Sequence, residues 1–185
     1  MIRAFIAISL PDEVRATLGE VSAALAAQMP ARSVRWVKPD LLHATLRFLG
    51  DTAVSQLPII ASELDRIAKN YAPINLRLAG LGCFPNRKRP RVIWAGLQGD
   101  VTAVQALKQA IDGGLEPLGW ERESRPFRAH LTLGRVKDSR KLRGIEWGVA
   151  VKEMVVPVTA VHLIESQLGP GGPIYTVRHT SQLSG

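Results

Sequence analysis

Residues Ile2–Ser9 alternate and are rich in β-branched side chains, a period of two that predicts a strand. The period then changes. Over residues 11–28, Val14, Leu18, Val21 and Leu25 recur at three- and four-residue steps, predicting an amphipathic helix whose first turn suits Pro11. Residues 33–37 and 42–49 predict strands around the turn-forming Lys38-Pro39-Asp40, and residues 54–70 a second amphipathic helix. The second half starts with strands over 74–81 and 91–97, flanking an exposed Gly/Pro/Arg-rich loop at 82–90, and a helix over 101–118. Strands are expected at 127–136, 156–165 and 174–180, the last two joined by the turn Gly169-Pro170-Gly171-Gly172-Pro173. Residues 137–148 show no period and receive no assignment. No stretch has the composition of a flexible linker, so residues 1–185 are expected to form a single domain of two lobes with an α+β fold.

A duplication stands out. Pro39-Asp40-Leu41-Leu42-His43-Ala44-Thr45-Leu46 is answered by Pro126-Phe127-Arg128-Ala129-His130-Leu131-Thr132-Leu133. Both read Pro-x-x-x-His-x-Thr-Leu, with an acidic residue eight positions beyond each histidine, Asp51 and Asp138. The two copies suggest duplicated lobes sharing one site. In a strand, residues i and i+2 share a face, so each histidine projects with its threonine while Ala44 or Leu131 faces the other way. If an approximate two-fold axis relates the lobes, two imidazoles and two hydroxyls converge on one cleft. Imidazole titrates near neutrality, so one ring can take a proton while the other gives one. Threonine hydroxyls can bond the non-bridging phosphoryl oxygens. This is phosphoester chemistry that needs no metal. His162 and His179 lack the frame and are expected to be structural.

Charge and composition narrow the partners. The formal charge of +8, with Arg87-Lys88-Arg89, Arg91, Arg122, Arg125, Arg128 and Arg135, favours a polyanion, although a solvated basic surface would give the same count. Apolar residues make up 46% of the chain, which excludes a disordered segment. The lone Cys83 excludes an internal disulfide and is expected to act as a small buried hydrophobe. Neither Cys-x-x-Cys nor His-Glu-x-x-His spacing occurs. The apolar start is too short for a membrane span and lacks a signal-peptide pattern, so the expected location is the cytoplasm.

The paired motifs resemble those of the 2H phosphoesterase superfamily, and more closely its RNA 2′,3′-cyclic phosphodiesterase branch, formerly called 2′-5′ RNA ligases. Further matching segments are Arg3-Ala4-Phe5-Ile6-Ala7-Ile8, Val34-Arg35-Trp36-Val37, Gly80-Leu81-Gly82-Cys83-Phe84-Pro85, Arg89-Pro90-Arg91-Val92-Ile93-Trp94-Ala95-Gly96, Arg125-Pro126-Phe127 and Glu165-Ser166. The resemblance implies a bilobal fold, two antiparallel-sheet lobes with outer helices and pseudo-two-fold symmetry around a cleft, with no cofactor and no metal. It implies hydrolysis of RNA 2′,3′-cyclic phosphate ends to 2′-phosphomonoesters, with a 2′-5′ ligase activity in some members. The partner expected is RNA with such ends, tRNA fragments among them, acted on by a monomer.

In this assignment His130 is the neutral base toward water and His43 the imidazolium that protonates the departing 3′ oxygen. Thr45 and Thr132 stabilise phosphoryl charge. The resemblance also places Arg135 on the phosphate, yet on a regular strand its parity opposes His130, so an irregularity such as a bulge at Gly134 is required. At the matching offset Phe48 is implied to flank the nucleoside, while Trp36 and Trp94 are expected in the core. Two other function classes stay open: a non-catalytic RNA- or nucleotide-binding module, and a phosphodiesterase for another small cyclic phosphate or a 2′-5′ oligonucleotide.

Overall fold

The computed structural model describes residues 1–124 and 126–185, so Arg125 lies outside the described residues. The elements run β1 (Ile2–Ser9), α1 (Asp12–Ala27), β2 (Val34–Trp36), β3 (His43–Thr52), α2 (Leu57–Ala68), β4 (Ile74–Phe84), β5 (Val92–Gly99), α3 (Val101–Leu115), β6 (His130–Val136), β7 (Val155–Val158), β8 (Ala160–Gly169) and β9 (Gly172–Gln182). They form two sheets, ordered β3-β1-β8-β9 and β2-β6-β5-β4-β7. Every pairing is antiparallel. The α+β class with two antiparallel sheets stands.

The duplication is visible in the topology. β1–α1–β3 and β5–α3–β6 are each a strand, a helix and a motif strand that returns antiparallel beside the first. The helices cross over: α1 packs against β6 of the second sheet, α3 against β3 of the first, and α2 covers β8 and β9. The apolar stripe of α1, Val14, Leu18, Val21 and Leu25, therefore shares one core with Leu131 and Leu133 of β6, while Leu107 and Ile111 of α3 share it with Leu46 of β3. β1 is apolar on both faces for a physical reason. Ala4, Ile6 and Ile8 face that core, whereas Phe5 and Ala7 form a separate small cluster with Ile164 on the opposite face, with Tyr175 packed on it.

Several boundaries differ from the sequence expectations. β3 continues three residues past Leu49 and β4 three past Leu81, so the basic loop starts only after Phe84. Residues 156–165 are two strands, not one: the chain leaves the second sheet after Val158 and joins the first at Ala160. Both sides of that crossing are apolar and β-branched, so hydropathy carries no mark of it. β6 starts at His130, three residues later than expected, and the unassigned 137–148 contains a short 3-10 turn, Ser139–Leu142.

Candidate active site

Each motif histidine opens its strand, and each is held the same way. His43 Nδ1 lies 2.8 Å from the Leu41 carbonyl, at the end of the 3-10 turn Pro39–Leu41, and His130 Nδ1 lies 2.6 Å from the Arg128 carbonyl. A carbonyl oxygen only accepts, so in both rings Nδ1 carries the proton and Nε2 is left to exchange one. Thr45 and Thr132 are half-buried on the same faces as their histidines, with Ala44 and Leu131 buried behind.

The two motif strands also break register at the same place. In β3, Thr45 pairs with Ala7 and Arg47 with Ile6, leaving Leu46 unopposed. In β6, Thr132 pairs with Trp94 and Gly134 with Ile93, leaving Leu133 unopposed. A bulge three residues after each histidine reverses the strand parity, so Phe48 and Arg135, five residues after, return to the histidine face. The irregularity that Arg135 required is present, centred on Leu133 with Gly134 beside it. Phe48 is 64% exposed, with its ring 6.2 Å from that of Phe5.

The Arg135 charge on β6 disfavours the His43 imidazolium of β3 and favours ionisation of the Tyr175 phenol of β9. Burial is the main reason that the His43 imidazolium is disfavoured and its pKa lowered; Arg135 adds to this, and the bond to the Leu41 carbonyl opposes it. Burial raises the Tyr175 phenol above its ordinary value, so it remains a donor at neutral pH.

Aromatic rings frame each imidazole. His43 has Phe5 at 4.8 Å and Tyr175 edge-on at 5.4 Å, measured between ring centroids. His130 has Phe84 edge-on at 5.0 Å and Trp94 at 6.4 Å. The core placement expected for Trp94 does not hold, because pairing with Thr132 puts it on the histidine face. Its indole lies over Gly82, where a Cβ would come within 2.2 Å of the ring. Phe5, Phe84 and Tyr175 had not been singled out as site residues. Their strands are apolar on both faces or carry no motif, and only the pairing register reveals which face each ring occupies.

The remaining chemistry-bearing residues stand apart. Asp51 is exposed opposite Arg3, and Asp138 binds Arg140 at the start of its 3-10 turn. His162 lies 3.0 Å from the Thr180 hydroxyl, and His179 lies 2.8 Å from Asp65. Burial raises the Cys83 thiol pKa, with Arg87 opposing, so Cys83 is protonated at neutral pH. Among the described residues, no three His, Cys, Asp or Glu side chains stand together as a metal-binding group.

Residues 8–94 and 98–175 match the family model described as LigT like Phosphoesterase. The chain belongs to that family. Among its relatives, an RNA 2′,3′-cyclic phosphodiesterase of Thermus thermophilus is 35% identical over 198 aligned positions, covering 100% of this chain and 91% of that protein. Another of that description, from Methanothermobacter thermautotrophicus, is 33% identical over 181 positions, covering 95% of each. The crystal structure of the Thermus thermophilus protein TT0787 superposes with a TM-score of 0.79 at 34% identity, over 100% of this chain and 99% of that one. The two-sheet architecture is thus that of a solved relative. No helix among the described residues is long and apolar enough to cross a membrane.

Proposed function

We propose that this chain hydrolyses 2′,3′-cyclic phosphate ends of RNA, leaving a 2′-phosphomonoester, by acid-base catalysis between His43 and His130 without a metal. The observation that carries the reading is the matched pair of imidazoles, each with Nδ1 tied to a backbone carbonyl and Nε2 left free. The relatives described as RNA 2′,3′-cyclic phosphodiesterases supply the substrate class. Burial of His43 favours its neutral ring, which assigns it the base role toward an in-line water. His130 then protonates the departing 3′ oxygen. We propose this order in place of the one expected from the sequence. Thr45 and Thr132 bond the non-bridging oxygens, Arg135 neutralises developing phosphoryl charge, and Phe48 flanks the terminal nucleoside. The same pair run backwards supports 2′-5′ joining by microscopic reversibility. The enzyme acts as a monomer in the cytoplasm, on RNA fragments such as those of tRNA.

The deciding experiment follows a short RNA ending in 2′,3′-cyclic phosphate in the presence of EDTA, with the product identified by phosphorus NMR. Wild type forms the 2′-phosphate, and His43→Ala and His130→Ala, both folded, do not. An absolute divalent-metal requirement sinks the mechanism, and tight binding without turnover points to a binding module. Acid and base are separated by a substrate with bridging sulfur at the 3′ position, whose thiolate leaves without a proton. It restores turnover to His130→Ala and not to His43→Ala; the opposite pattern reverses the assignment.

A further inference from the structure

Away from the histidines, an open groove of about 1000 Å³ runs between the β4–β5 loop and residues 142–148. Its charged lining is Arg87, Lys88, Arg89 and Arg143 against the single carboxylate of Glu146. The walls are fixed. Arg87 lies over the Trp147 ring, 4.7 Å from its centroid, and donates to the Trp147 carbonyl at 3.1 Å. Trp147 itself is buried in the main core. The loop turn is held by Asn86 Oδ1, which accepts from the backbone N–H groups of Lys88 and Arg89 at 3.0 and 3.1 Å. Among the described residues, the side chains of Lys88, Arg89 and Arg143 form no ion pair with a carboxylate. A wall of cations without carboxylate partners is suited to a chain of phosphates, whose release of counterions would drive binding.

A short stretch of chain links the groove to the histidine site. Phe84, whose ring stands edge-on to His130, is the last residue of β4, and the basic loop leaves from it. Arg87 follows three residues later, a reach of at most about 11 Å along the chain. On the other flank of β6, Arg35 of β2 pairs directly with Arg135. Two like charges opposite each other on a ladder repel, and an anion between them relieves the repulsion. Cationic side chains thus stand on both flanks of β6, Arg35 beside Arg135 on one and the basic loop that follows Phe84 on the other.

We infer that this groove binds the ribose-phosphate backbone of the RNA strand immediately 5′ of the cyclic phosphate end, giving the enzyme a preference for oligonucleotides over mononucleotides. The inference rests on the cyclic-phosphate reading for the identity of the strand. It assigns Lys88 and Arg89 to phosphates that a mononucleoside substrate does not possess.

The test compares wild type with the double variant Lys88→Gln, Arg89→Gln on two substrates, an eight-nucleotide single-stranded RNA and a mononucleoside, both ending in 2′,3′-cyclic phosphate. A parallel anisotropy titration uses the fluorescein-labelled octamer ending in 2′-phosphate. KM for the octamer is expected to rise about tenfold in the variant, with the mononucleoside KM within about twofold of wild type. The slope of log affinity against log salt should fall by about 1.4, from two charges at about 0.7 each for a single strand. Equal losses on both substrates, or an unchanged octamer KM and salt slope, overturn the inference. Wild type that turns over neither substrate refutes the cyclic-phosphate reading alone, because the anisotropy slopes still decide whether the groove holds an RNA strand. A blunt duplex of the same sequence bound as tightly as the single strand also overturns it.

Discussion

The strands β3 and β6 repeat one device and support it by opposite means. Each opens with a histidine tied to a carbonyl two residues back, bulges three residues later, and thereby brings the fifth residue to the histidine face. They part company at the residue after the bulge, Arg47 in one and Gly134 in the other. β6 is flanked by β2, and Val34 and Trp36 fill the space where a residue at 134 would carry its Cβ, at 2.6 and 2.9 Å. Only glycine fits. β3 is the edge of its sheet, so the equivalent side chain has room and is used: buried Arg47 bonds the Glu121 carbonyl, and lies 3.5 Å from Asp112 of α3. Lys108 joins the same carboxylate from one helical turn away. A duplicated motif geometry is thus compatible with a packed support in one lobe and a buried charge network in the other. What must repeat is the backbone path, not the side chain that secures it.

The comparison breaks most visibly at the histidines. His43→Ala and His130→Ala should each lower kcat about 10² to 10⁴-fold on the cyclic phosphate, the range for losing a general acid or base. A loss confined to one of them would mean that the second motif is a binding wall. Next in size is the charge network. Asp112→Ala leaves Lys108 and Arg47 buried without their shared carboxylate and should cost about 3 to 5 kcal/mol in urea unfolding. A cost below about 1 kcal/mol would show that water or Glu123, 3.7 Å from Lys108, neutralises the pair instead. Smaller again is Gly134→Ala, which presses a methyl into Val34 and Trp36 and should destabilise by about 1 to 3 kcal/mol. Its informative readout is KM, since a shifted bulge moves Arg135, and a fall in stability with KM unchanged would remove Arg135 from phosphate binding.

Much of this was legible in the chain. The repeated Pro-x-x-x-His-x-Thr-Leu, together with strand parity, was enough to pair each histidine with its threonine, and the family resemblance set against parity required an irregular strand before Arg135. Gly134 marked a candidate position for it, but Arg47 at the matching place in the first motif carries no such mark, and the bulges on Leu46 and Leu133 show only in pairing register, which is a property of two strands. The same gap hid Trp94. An apolar run such as Val92-Ile93-Trp94-Ala95 states that both faces are covered, not that one of them lies beside a motif histidine. The single strand expected over 156–165 failed for the converse reason: the chain changes sheets between Val158 and Ala160 without any change in side-chain character. The burial of His43 was not legible either, since the rings beside it, Phe5 of β1 and Tyr175 of β9, come from strands outside the motif itself.

That burial supplies the finest discriminator between the lobes. The folded His43 ring has its pKa below the unfolded value of about 6.5, chiefly through burial, with Arg135 adding to it. Below that pH the unfolded chain takes up a proton that the folded ring still refuses, so the folded state loses stability as pH falls from 7 through the ordinary histidine range. The loss levels off once the folded ring itself protonates. Half-buried His162 contributes with the same sign, so His43→Asn should make the decline between about pH 7 and 5 shallower without abolishing it, as read by urea unfolding at each pH. In the proposed mechanism the same shift favours the neutral His43 ring, the form a base requires, at pH values where an ordinary imidazole is charged. Arg135→Gln removes the charge that helps to hold it there. The ring's NMR titration should then move to higher pH, and the acid limb of kcat/KM should move with it. If the titration moves and the acid limb does not, His43 is not the base, and the proton is taken from water by the other lobe.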